Sequence, residues 1–156
     1  MTRWLDLEQQ RHWRAYIAAT TLLQERLSRE LQAAHGLTMA DYEILVRLSE
    51  APGRSLRMSL LAENTLASRS RLSHQIDRME KAGLVVREAC EEDRRGANAV
   101  MTDAGWDLLV AAAPTHVAGV REHLVDQLTP EEFAALGAAC AKVAEHLQSP
   151  ECPQSV

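Results

Sequence analysis

A mainly α fold with a small β-wing is what this sequence predicts, on three observations. Apolar residues recur at steps of three and four over most of the 156 residues, the periodicity of amphipathic helices. That pattern breaks once, over Leu84-Val85-Val86-Arg87 and Ala97 to Met101, two β-prone runs separated by an acidic turn ending in Asp93-Arg94-Arg95. Just before the break, a short helix and a longer one with a polar tip are separated by Asn64-Thr65.

The elements follow in order. From Trp13 the apolar side runs through Ile17, Thr20, Leu23, Leu27 and Leu31, and Gly36 after His35 supplies a C-terminal stop. Thr38 caps a second helix whose inner positions are Tyr42, Leu45 and Leu48 and which ends before Pro52-Gly53. Met58 to Glu63 fits a short third helix, and Leu66 leads into a fourth from Ser68 to Ala82. In that fourth helix Leu72, Ile76 and Met79, with the following Leu84, face inward and leave Ser70, Arg71, Ser73 and His74 exposed near its N-terminal half.

Beyond the two wing strands, Thr102-Asp103 caps a fifth helix with apolar positions Trp106, Leu109, Val110, Ala113, Val117, Val120 and Leu124; Pro114 is expected to kink it. The last helix opens on Thr129-Pro130-Glu131-Glu132, a capping box with proline at the first helical position. Its stripe of Phe133, Leu136, Cys140, Val143 and Leu147 has the spacing of a helix-packing seam, with Cys140 as a small core residue.

These elements make a single domain over 1–148. A winged helix-turn-helix lobe over about 38–101 is flanked by N- and C-terminal dimerisation helices over about 4–35 and 102–148, with 149–156 a flexible tail. Two long amphipathic helices at the chain ends, with no third layer to cover them, point to a homodimer.

Composition narrows the function classes. Hydrophobic residues at 46% and charged residues at 25% are ordinary for a globular chain, and no apolar run reaches the roughly 18 residues of a membrane span. The polar start MTRWLDLEQQRHWR does not read as a signal peptide. Cys90, Cys140 and Cys152 are odd in number and widely spaced, as expected of reduced thiols in the cytoplasm rather than of a disulfide framework.

The net charge of −5 is unevenly spread: residues 54–95 carry nine Lys and Arg against seven Asp and Glu, whereas residues 96–156 carry two against eight. A locally basic face still attracts phosphate, because distant charges are screened beyond about 8 to 10 Å. A helix tip exposing Ser, Arg and His suits a DNA major groove, and an arginine on a hairpin tip suits the minor groove beside it.

Five motifs in the same order and spacing resemble the MarR family of winged-helix transcription regulators over nearly the full length. They are Leu37-Thr38 with Tyr42 and Leu45; Ser68-Arg69-Ser70-Arg71-Leu72-Ser73 with Asp77-Arg78-Met79-Glu80; Gly83-Leu84-Val85; Asp93-Arg94-Arg95; and Met101-Thr102-Asp103-Ala104-Gly105.

The resemblance implies a homodimer on double-stranded DNA, each fourth helix in a major groove of a roughly palindromic operator. The expected DNA-binding residues are Arg57, Ser68, Arg69, Ser70, Arg71, Ser73, His74, Asp93, Arg94 and Arg95. Asp93 would orient Arg95 into the minor groove, and Arg94 and Arg57 would meet phosphate. The corresponding location is the cytoplasm, at the nucleoid.

The resemblance also implies a small aromatic or phenolic anion as effector, between the dimer helices and the lobe. Trp13, Arg14 and Tyr16 could stack on and pair with such a ring; the competing reading places Trp13 and Tyr16 in the dimer core. Members of the family that sense peroxide use a cysteine in the first helix. RHWRAYIAATTLL contains none, and Glu88, Glu91 and Glu92 around Cys90 disfavour a thiolate there.

His116 and His123 lie seven apart, without the i, i+4 pairing of a helical metal site, so no metal or other cofactor is expected. No nucleophile–base pattern or phosphate-binding glycine loop appears, so no enzyme activity is expected. The alternative function is a winged-helix interaction or architectural module without sequence-specific DNA binding, which would not need Asp93 and Arg95 or base-facing Ser70 and His74.

Overall fold

The computed structural model describes residues 2–65, 67–90 and 96–148. It contains α1 (Leu7–His35), α2 (Met39–Glu50), β1 (Ser55–Arg57), α3 (Met58–Asn64), α4 (Arg69–Lys81), β2 (Val85–Ala89), β3 (Ala97–Met101), α5 (Asp103–His123) and α6 (Pro130–Gln148). The chain forms two compact units that divide at Gly119.

In the first unit, local chemistry sets the helix ends. Asp6 and Gln9 form a reciprocal capping box at the start of α1, and Gly36 closes it in the left-handed conformation at φ 68°. The Thr38 hydroxyl accepts from the Asp41 amide to cap α2, and the Ser68 hydroxyl accepts from the Arg71 amide to cap α4.

The three strands form an antiparallel sheet in the order β1-β3-β2, with Leu56 opposite Ala99 and Arg87 opposite Ala99 on the other side. β1 was not anticipated. Its three residues are too few for an alternation to register, and its existence depends on β3 offering a free edge, a tertiary condition.

The core of this unit is Leu31, Leu37, Ile44, Leu45, Leu48, Leu61, Leu72, Ile76 and Val85 with their neighbours, so α4 is held by its apolar face against α2, α3 and the sheet. Thr102 alone separates β3 from α5. Its amide donates to Leu84 O (3.0 Å), its hydroxyl donates to Gly83 O (2.6 Å), and the same hydroxyl accepts from the Gly105 amide (3.1 Å).

Several expected inner positions differ. On α1 only Leu27 and Leu31 are buried, while Trp13 and Ile17 are exposed. On α5 the buried positions are Gly105, Leu109, Ala112 and Gly119, whereas Val110 and Val117 face solvent. The inward line of α5 uses its small residues: a Cβ on Gly119 would meet the Leu27 side chain at 2.8 Å, so α1 packs too closely for larger side chains there. Pro114 lies inside α5, whose helical run continues on both sides of it.

In the second unit, Thr129 and Glu132 make the expected capping box, each side chain accepting from the other's amide at 3.2 and 2.8 Å. No residue of α6 is buried, and Phe133, Val143 and Leu147 are exposed. Cys140 is therefore not a core residue but an exposed thiol, on a helix none of whose residues is buried. The tail, with Cys152, lies outside the described residues.

Candidate nucleic-acid interface

The candidate interface is built on α3 and α4. Burial of Leu72, Gln75, Ile76 and Met79 fixes the rotation of α4 about its axis. The opposite side then presents Ser68, Arg69, Ser70, Arg71 and His74, all exposed; of the four positions expected to be exposed, Ser70, Arg71 and His74 are, and Ser73 is not. Ser70 and His74 are one turn apart on that outward side.

Two expected contact residues have other work. The Ser68 hydroxyl is engaged as the cap of α4. Ser73 is half-buried, and its hydroxyl and carbonyl both accept from Arg87 Nη2, at 3.2 and 2.9 Å. Neither atom had a sequence signal, because the donor comes from a strand 14 residues further on.

Arg57 is exposed at the end of β1. With Arg69 and Arg87 it lines a cleft between α3, α4 and the sheet, and Ser59, Ser73 and Ala97 complete the wall. Arginines from three elements thus converge beside the tip of α4, and the charge of one of them, Arg87, is met by Asp77 and Glu80. Asp93, Arg94 and Arg95, together with Leu66, lie outside the described residues. The hairpin on either side of the wing tip is described as far as Cys90, whose amide donates to Gly96 O at 3.1 Å; the Cys90 side chain is half-buried.

Two polar tethers that sequence reasoning missed flank the apolar face of α4. Asp41 on α2 accepts from Gln75 Nε2 and Arg78 Nη2, both at 3.2 Å. On the other flank, Arg87 on β2 pairs with Asp77 Oδ1 at 2.6 Å and with Glu80. Burial alone would lower the Arg87 pKa, but the hydrogen bonds and charges of Asp77 and Glu80 outweigh it and hold the guanidinium above its ordinary value. A hint did exist: alternation puts Arg87 on the same side of β2 as buried Val85, an unusual place for an unpaired charge.

Trp13 and Tyr16 stack with ring centroids 6.2 Å apart and, like Arg14, are exposed on α1. His116 is not near a metal cluster: its ring packs on Tyr42 at 4.6 Å, and among the described residues no group of three potential metal ligands comes together. No described helix is long and apolar enough to cross a membrane.

A MarR family model matches residues 35–96, the span from the end of α1 to the hairpin. The chain is 51% identical to AbsC, a MarR family transcriptional regulator from Streptomyces coelicolor, covering 96% of this chain and 100% of that one with a TM-score of 0.91. The chain belongs to the MarR family. A second MarR family transcriptional regulator from Streptomyces coelicolor, solved in complex with DNA, is 46% identical over 99% of this chain and 98% of its own, with a TM-score of 0.94. The transcriptional regulator PecS of Dickeya dadantii is 28% identical over 133 residues, 84% of this chain and 79% of its own. This MarR family member is thus a winged-helix protein whose relatives are transcriptional regulators, and its α4 and β2 lie in the part that the family model spans, which ends just before β3.

Proposed function

We propose that this MarR family member is a sequence-specific DNA-binding transcription regulator that acts in the cytoplasm as a homodimer and represses from a roughly palindromic operator. The observation that carries the reading is the pose of α4. Ser70, Arg71 and His74 face outward from a helix locked by its buried side, next to a cleft walled by Arg57 and Arg69. A relative of 46% identity was solved in complex with DNA. Ser70 and His74 read base edges, and Arg57 and Arg69 neutralise phosphate.

Arg95, oriented by Asp93, enters the minor groove and Arg94 meets phosphate, an assignment that rests on the sequence motif alone. A small aromatic anion lowers the affinity by binding near Trp13, Arg14 and Tyr16, and the protein has no catalytic role.

Selection of bound sequences from a random duplex pool tests this directly. A palindromic consensus with half-sites about one helical turn apart is expected. Arg95→Ala should relax preference at flanking A·T-rich positions, and His74→Ala should change the preferred major-groove bases. A pool that returns no consensus would leave only the interaction module without sequence specificity.

A further inference from the structure

Arg87 binds the recognition helix with both its main chain and its side chain. β2 is an edge strand, so its outward amides lack a strand partner, and the Arg87 amide donates instead to Glu80 Oε1 at 2.7 Å. The guanidinium reaches Ser73 O, Ser73 Oγ, Asp77 Oδ1 and Glu80 Oε2. Residues 73, 77 and 80 are spaced four and three apart, so one residue of the hairpin is bonded along two turns of α4 on a single side. Asp41, through Gln75 and Arg78, holds the other flank. Between the two tethers lie Ser70 and His74.

We infer that Arg87 is the positioning residue that fixes the roll of α4 and couples it to the hairpin, so that helix and wing meet their grooves in one register. This rests on the DNA-binding reading given above. A roll of about 20° swings a side-chain tip at the helix rim by about 2 Å, more than a directional hydrogen bond to a base edge tolerates. The apolar stripe alone resists such a roll weakly, because Leu72, Ile76 and Met79 make non-directional contacts. The forked ion pair is directional, and its two carboxylates would otherwise stand unpaired on a helix that approaches phosphates.

The test uses Arg87→Lys, which keeps the charge and loses the fork, together with Arg87→Met, Glu80→Gln and the Arg87→Lys/Glu80→Gln double variant. Affinity is measured for the selected operator, for operators carrying single base changes at the helix-read positions, and for scrambled duplex, with thermal midpoints taken in parallel. Arg87→Lys should remain folded at the assay temperature and lose about tenfold in operator affinity, the size of one mismatched base pair. Its discrimination against base changes should fall toward unity, while scrambled duplex binding changes by less than about threefold. Glu80→Gln should reproduce the lost discrimination, and the double variant should be no worse than the poorer single one.

Unchanged discrimination in Arg87→Lys, or additive losses in the double variant, overturns the inference. So does an equal loss on all duplexes that tracks a lowered midpoint. Should Arg87→Met fail to fold, Arg87→Lys decides. If the wild type selects no consensus, it is the DNA reading itself that fails.

Discussion

At Gly105 a β-carbon would lie 2.2 Å from the backbone oxygen of Leu84 and 2.9 Å from the Met101 side chain. Backbone cannot yield as a flexible side chain does, so Gly105→Ala should destabilise the lobe by about 1 to 3 kcal/mol, read from denaturant midpoints. His116 offers a second single-residue test. Burial lowers its pKa and its Nδ1 is enclosed without a partner, so the folded protein keeps it neutral. As pH falls below about 6.5 the unfolded chain takes the proton first, and the stability that His116 supports is lost. The drop in thermal midpoint between pH 7 and pH 5 should therefore shrink in His116→Phe; an identical drop would refute the assignment. Tyr42 across the ring contact is raised by burial, so its own effect appears only at alkaline pH, above about 10. At this scale the outward Ser70 and His74 were legible because helical periodicity is local. The bonds of Ser73, Asp77 and Glu80 were not, since their partner comes from another element.

The same divide holds for whole elements. The helices announce themselves through apolar spacing and caps: Thr38 and Thr129 cap where the sequence placed them, while Ser68, read as the first residue of its helix, proves to be its cap. The three residues of β1 had no such mark, and the inward line of α5 was misjudged because small residues, not valines, meet α1. On α6 the stripe Phe133, Val143 and Leu147 remains exposed in the single chain. In the proposed homodimer this face is covered by the second copy. Sedimentation of wild type at micromolar concentration should then give about twice the 17.3 kDa chain mass. Val143→Glu, which places a charge on the α6 stripe, should shift the mass toward one chain. A wild-type monomer would remove the paired recognition helices.

For the molecule as a whole, the net charge of −5 and a pI near 5.7 coexist with a middle segment that is net positive. Binding to DNA should consequently depend on that local face and fade quickly with salt. Each phosphate contact contributes a slope of about −0.9 in log affinity against log salt, so Arg57→Ala should flatten the slope by about one unit and weaken operator and scrambled duplex alike. A change confined to the operator would instead make Arg57 a base reader.

Thr102, the only residue between β3 and α5, leaves the connection without slack. With its amide and hydroxyl fastened to Leu84 and Gly83, the joint works as a weld rather than a hinge. A tilt of α5 at its first turn would therefore carry the hairpin with it and, on the coupling inferred for Arg87, the reading helix as well. Flexible residues spliced in beside Thr102 would leave every element intact and yet disconnect the lever from what it moves.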